Sequence, residues 1–147
     1  MVLVHVACSL LSYVAFLAAC VAGGLFLVQE RQLKRKTLGV LFHRLPSLEA
    51  LDRANFIAIS VGFGLLSLGL ACGMVGGRVL QGRWWRGDPK EVITWVVWAA
   101  YCLLWLVRLR ATLRGHRVAV LSMLGFTLLV LMAVGAAHLL GSTHPFA

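Results

Sequence analysis

"GRWWRGDPKEV", residues 82–92, sets two adjacent tryptophans, two arginines and an Asp-Pro-Lys-Glu run between long apolar stretches. Three uses of such a segment are open: a helix start, an anchor at a membrane surface, or a shelf for a flat ligand. Its second half has a complete structural reading. Asp88 can act as an N-cap, Pro89 as the first helical residue and Glu91 as the third, a capping box with Asp in place of Ser or Thr. Proline suits that place because the first turn of a helix leaves its N–H groups unbonded anyway. The segment therefore predicts a helix from Pro89, and the fold turns on what lies to either side.

To either side the composition is that of a membrane protein. Of 147 residues, 61% are hydrophobic and 13% charged, against about 25% charged in soluble domains. Uncharged stretches run Val2–Gln29, Ala54–Gly77, Val92–Val107 and Val118–Ala147. About 20 residues, at roughly 1.5 Å each, cross a hydrocarbon core of about 30 Å. The first, second and fourth stretches reach that length. The third reaches it as 89–110, with Arg108 and Arg110 snorkelling to the interface. The reading is all-α, an integral membrane bundle of four transmembrane helices near 2–29, 54–77, 89–110 and 118–140, forming one domain over 1–147.

The formal charge is +9, and its distribution matters more than its size. Arg31, Lys34, Arg35, Lys36, Arg44 and Arg53 lie in the connector 30–53, and Arg108, Arg110, Arg114 and Arg117 in the connector 108–117. Arg78, Arg83, Arg86 and Lys90 lie between the second and third helices. Such clustering is the signature of membrane orientation, so no nucleic-acid partner is expected. The positive-inside rule places the two richer connectors in the cytoplasm, against anionic lipid. Both termini and the tryptophan loop then face outward. Within the first connector, Ser47 is placed to cap a short interfacial helix with Leu48 and Leu51 on one face.

Four cysteines fall inside apolar runs with no C-x-x-C pair, and read as small buried hydrophobes. Gly69, Gly73 and Gly77, like Ala15, Ala19 and Gly23, form small-x-x-x-small ladders that let helices approach closely. The alternative is that such gaps admit a planar ligand. Trp95, Trp98, Cys102 and Trp105 share one face of the third helix. That stripe either packs on neighbouring helices or continues, at its outer end, a ligand wall begun by Trp85.

His5 opens the first apolar stretch and His144 follows the fourth helix. In an up-and-down bundle the first and fourth helices are neighbours, so the two imidazoles can converge above the bundle, at the end that carries the tryptophans. Haem iron takes axial imidazoles, its ring stacks on aromatic side chains, and its propionates favour arginine and lysine, here Arg83, Arg86 and Lys90. His138, inside the fourth helix, is a rival ligand. The alternative for each histidine is a ring that simply reaches water at the interface.

The chain resembles the tryptophan-rich haem-handling proteins of c-type cytochrome assembly, the CcsA, CcmC and HemX-like group. Their signature is roughly W-G-x-x-W-x-W-D-P-K-E, matched here at Gly82, Trp85, Asp88, Pro89, Lys90 and Glu91. The segments "HVACSLLSYVAF" from His5, "LPSLEALD" at 45–52, "RGHRVAVLSMLGF" at 114–126 and "GSTHPF" at 141–146 are similar to the CcsA and HemX branch. Gln81 and Gly87 stand where that signature has tryptophan. The resemblance implies a haem platform at Trp85 and axial ligation by His5 and His144. With Trp84, Asp88, Trp95, Arg83 and Arg86 these make up the candidate haem-binding set. It further implies haem b as cargo at the outer face, apocytochrome c as recipient and a CcsB-like membrane partner. No catalytic residues are assigned. The chain's place would be within a cytochrome c synthase complex, where vinyl–thiol chemistry belongs to haem and the apoprotein. A HemX-like regulator of haem biosynthesis and a non-haem membrane scaffold subunit are the alternative functions.

Overall fold

A computed structural model describes residues 2–36, 46–82, 84, 89–109 and 115–141, with all side chains in that set except those of 2, 81, 89, 90, 133 and 135–141. The helices are α1 (Val2–Lys34), α2 (Leu48–Gln81), α3 (Pro89–Leu109) and α4 (His116–Gly141). Two of them run well past the uncharged stretches, for identifiable reasons. At the end of α1, Lys34 Nζ donates to Glu30 Oε1 at 2.7 Å, an i,i+4 pair in the favourable Glu-before-Lys order. At the start of α2, Ser47 Oγ accepts from the Ala50 N–H at 3.2 Å, the cap expected from the sequence.

The separate interfacial helix expected after Ser47 is not what forms. Residues 48–53 are instead the first turns of one continuous 34-residue helix. Leu51 is buried with Phe26 and Ala119, and Asp52 is held by Arg108, so the segment is tied into the bundle and not laid on a surface. At the other end α2 stops at Gly82, whose φ of 72° is the left-handed conformation of a helix terminator. Its N–H donates to the Arg78 carbonyl at 3.0 Å. The start of α3 at Pro89 agrees with the sequence; its expected cap, Asp88, lies outside the described residues.

Side-chain contacts fix the topology. His5, Phe16 and Ala19 of α1 meet Gly73, Gly62 and Asn55 of α2, so the two helices are antiparallel. Trp98, Trp105 and Arg108 of α3 meet Ser67, Ser60 and Asp52 of α2, again antiparallel. Tyr101 of α3 lies beside Gly125 of α4, while Gly23 and Phe26 of α1 lie beside Ser122 and Gly115. The chain thus goes up and down around a ring, with α4 closing onto α1.

Three helices are long and apolar enough to cross a membrane among the described residues, Leu3–Lys34, Leu48–Leu80 and Glu91–Leu109; the described apolar part of α4, His116–Met132, is shorter. This is a helical membrane protein.

The interior is built where small residues let large ones in. Phe16 and Tyr101 stack with centroids 3.6 Å apart and planes at 18°, among Ile59, Leu66 and Leu129. A Cβ at Gly62 would stand 2.6 Å from the Phe16 ring, so that glycine is required by the packing. Asn55, only 2% exposed, donates from Nδ2 to the Ala19 carbonyl at 2.7 Å and to Ser122 Oγ at 2.9 Å. One amide thereby ties α1, α2 and α4. Such interhelical hydrogen bonds replace the hydrophobic drive that lipid does not supply.

Candidate functional site

The first small-residue ladder has a second use, visible only in three dimensions. His5 Nδ1 lies 2.6 Å from the carbonyl oxygen of Gly69. A carbonyl can only accept, so Nδ1 carries the proton and donates. Nε2 is left as the ring's lone-pair nitrogen. Gly73, one turn on, provides the space: a Cβ there would stand 2.9 Å from Nδ1 and 3.0 Å from Cε1. The glycine ladder of α2 is therefore both a packing surface and a seat for one imidazole. Ser9 Oγ donates to the His5 carbonyl at 2.8 Å and steadies the same turn of α1. A histidine whose far nitrogen donates to a backbone carbonyl is oriented as metal-bound histidines usually are. The donor chemistry fits an axial iron ligand.

The level of this imidazole differs from the sequence expectation. Trp98 meets Ser67, and Trp95 stands three residues nearer the start of α3, hence level with the Gly69–Gly73 segment of its antiparallel neighbour α2. His5 and Trp95 therefore share one level of the bundle. Trp95 is six residues from Pro89, about 9 Å into the helix. His5 is set within the helical layer, not above it, because α2 continues eight residues, about 12 Å, beyond Gly73.

The tryptophans divide between two roles. Trp98 Nε1 donates to Ser67 Oγ at 2.9 Å and Trp105 Nε1 to Ser60 Oγ at 3.1 Å. Phe63 lies between the two indoles, with centroids 5.7 and 5.5 Å away. These two indoles pack the α2–α3 seam. Trp95 is half-buried and meets Trp98 edge-on at 5.7 Å and 75°. Trp84 is 56% exposed, with the Arg78 guanidinium 5.7 Å from its ring centre, and so is the one described tryptophan that offers an open face.

Because α1 and α4 are antiparallel neighbours, the start of α1, the end of α2 with Trp84, the start of α3 and the end of α4 share one end of the bundle. Arg83, Trp85, Arg86, Asp88 and His144 lie outside the described residues. The backbone of His138 belongs to α4, its side chain outside what is described.

The opposite end is organised by charge, which the sequence reading missed. Arg108 does not snorkel. Its side chain is 7% exposed, and its two terminal nitrogens donate to Asp52 Oδ1 at 2.8 Å and Oδ2 at 2.5 Å, with a third bond of 3.1 Å to the Asp52 carbonyl. The Gly115 N–H donates to the same carboxylate at 3.2 Å, and the guanidinium lies 5.4 Å from the Phe56 ring centre. Beside it, His116 Nδ1 and Glu30 Oε2 are 2.6 Å apart. These contacts join all four helices at one end. The available clue was a pair of carboxylates, Glu49 and Asp52, in the first turns of α2 and one arginine in the last turn of α3, a pairing that requires knowing the two helices are antiparallel.

A helical membrane protein with a backbone-oriented imidazole between two helices is the class that fold and site define. The chain belongs to the cytochrome c assembly protein family, whose model matches residues 1–143. It is similar to the cytochrome c biogenesis protein CcsA of Synechococcus sp. (strain JA-2-3B'a(2-13)), 34% identical over 111 residues, covering 74% of this chain and 31% of that protein. The CcsA proteins of Prochlorococcus marinus (strain MIT 9312), 33% identical over 98 residues, and of Porphyra purpurea, 32% identical over 106, cover 67% and 70% of this chain. In each case the match takes in about a third of the relative's length, 32% of both. No solved structure matches.

Proposed function

We infer that this chain is a haem-holding membrane module of c-type cytochrome biogenesis. The observation that carries the reading is the His5 imidazole, whose proton is committed to Gly69 and whose Nε2 is free in chemistry to meet iron. In the bundle, α1 to α4 each cross the membrane, with the His5 end outward and the basic connectors against anionic lipid in the cytoplasm. Haem b is cargo at the outer face, ligated by His5 from one side and by His144, or alternatively His138, from the other. Trp95 and the loop residues Trp84 and Trp85 supply aromatic surface. Arg83 and Arg86 face the propionates, and Asp88 holds the loop to the start of α3. Apocytochrome c receives the haem, and a CcsB-like membrane partner completes the apparatus.

Purified protein in detergent should take up haem with a Soret band and lose most of it in the His5→Ala, His144→Ala double variant, with helix content unchanged. A variant spectrum identical to wild type would remove both ligands from consideration. Deletion of the gene should abolish covalent cytochrome c staining while haem precursors stay level; the opposite pattern favours a regulator of haem synthesis.

A further inference from the structure

The seat of His5 does more than aim the ring. The Nδ1–H meets the Gly69 carbonyl at 2.6 Å, closer than most N–H···O bonds. Residue 69 lies inside α2, so its carbonyl takes the helix's own i+4 N–H on one lone pair and His5 on the other. The acceptor is therefore fixed: a helical carbonyl cannot rotate away as a water or a side chain can. Gly73 keeps the approach open, since a Cβ there would stand 2.9 Å from Nδ1. Ser9 Oγ bonds the His5 carbonyl and not its ring, so among the described residues Nδ1 has no second acceptor.

A hydrogen bond at one imidazole nitrogen changes the other. As the acceptor draws on the proton, electron density shifts toward Nε2 and the ring becomes a more basic ligand. A more basic ligand favours the iron state of greater positive charge, so such a bond lowers the reduction potential of a haem it ligates. A carboxylate acceptor does this strongly and water weakly; a neutral carbonyl at a fixed distance lies between them. We propose that the Gly69 carbonyl tunes the iron that His5 holds, strengthening the grip on ferric haem roughly three- to tenfold relative to ferrous haem. At about 59 mV per tenfold for one electron, that ratio is a potential lower by about 30–60 mV. Burial of charge acts in the opposite sense, and it stays constant when only the hydrogen bond is changed. The inference rests on the haem-holding reading and adds a graded response to it. One electron from an external one-electron donor converts Fe(III) to Fe(II), the proton stays on Nδ1, and this part of the grip is lost.

The deciding experiment removes the N–H and keeps the ligand. In the full chain carrying His5→Ala, in lipid nanodiscs with haem, added imidazole ligates iron through one nitrogen and donates to Gly69 from the other. 1-Methylimidazole ligates in the same way and has no N–H to donate. Spectroelectrochemistry gives the potential with each, and the same two ligands on haem in protein-free detergent give the intrinsic difference to subtract. After subtraction, imidazole should lie about 30–60 mV below 1-methylimidazole. Gly73→Ala, which displaces the native ring, should raise the wild-type potential by a similar amount, with ferric affinity falling roughly three- to tenfold further than ferrous affinity. Gly76→Ala, where nothing lies within 4 Å of the added Cβ, should leave both as they are. An unchanged potential in Gly73→Ala, or equal potentials with the two imidazoles after subtraction, overturns the proposal and leaves haem holding intact. A wild-type chain that takes up no haem in either oxidation state overturns the haem-holding reading, and this inference with it.

Discussion

Gly73→Ala is the smallest perturbation that separates His5 as an oriented ligand from His5 as a packing residue. The added methyl would stand 2.9 Å from Nδ1 and 3.0 Å from Cε1, closer than van der Waals contact permits. The ring has freedom about its side-chain torsions, so it swings aside and the 2.6 Å bond to the Gly69 carbonyl breaks. Losing that bond costs about 0.5–1.5 kcal/mol. Replacing a mid-helix glycine by alanine returns about 0.8–1 kcal/mol. The two nearly cancel, and thermal unfolding in detergent should change by the equivalent of about 1 kcal/mol or less. Haem affinity should not be spared. Loss of the partner that orients a metal-bound histidine typically costs about 10- to 100-fold, read here as a shift in the Soret titration. In a His5→Ala background the clash and the bond are both gone, and Gly73→Ala should stabilise by about 1 kcal/mol. Gly76→Ala, at a position with nothing within 4 Å, serves as the control. Haem affinity in Gly73→Ala within about threefold of wild type would refute the assignment of orientation to the Gly69 carbonyl.

At the other end of the bundle, Asp52→Ala strands the Arg108 guanidinium, 7% exposed, with no counter-charge. The cost should reach about 3–5 kcal/mol. The Asp52→Leu, Arg108→Leu double variant should recover much of it, and a double variant as unstable as Asp52→Ala would mean that the pair is not what holds the end together. Ser67→Ala leaves the Trp98 indole N–H without its 2.9 Å partner. It should lower stability by about 0.6–1.7 kcal/mol, the range of interhelical hydrogen bonds in membranes, and should shift Trp98 fluorescence; no change in either would show that the indole finds another acceptor.

Much of this architecture is legible in the chain because its signals are local. Ser47 ahead of an apolar run and Pro89 at the head of another mark two helix starts, and both hold. The ladder of Gly69 and Gly73 announces close packing, and close packing is found. What the sequence hides is pairing across helices. Asp52 and Arg108 lie 56 residues apart, and nothing in the periodicity of either helix records that one turns to the other. Read alone, an arginine in the last turn of a span snorkels; beside a carboxylate of the next helix it does not have to. The His5–Gly69 bond, across 64 residues, is hidden for the same reason. In both cases the missing quantity is the vertical register of two antiparallel helices, which only the packed structure fixes.

That register also bears on why a ligand histidine would sit on a helix and not in the tryptophan loop. An axial ligand must hold one nitrogen within a fraction of an ångström of the iron, and side chains fixed by packed helices hold position better than those on loops. His5 obtains this from both sides: α1 carries it, and α2 supplies the carbonyl that fixes its tautomer and the glycine that makes room for its ring. The polar contacts that join all four helices are gathered at the far end, around Asp52 and Glu30. An end closed by the Asp52–Arg108 pair cannot open cheaply, because parting it leaves a buried guanidinium without its counter-charge. At the His5 end the described polar contact between α1 and α2 is a neutral hydrogen bond beside a glycine seat, which carries no such charge penalty. A module that holds a cargo, as proposed above, gains from ion pairs at one end that keep its four helices in register while the ligand imidazole sits at the other.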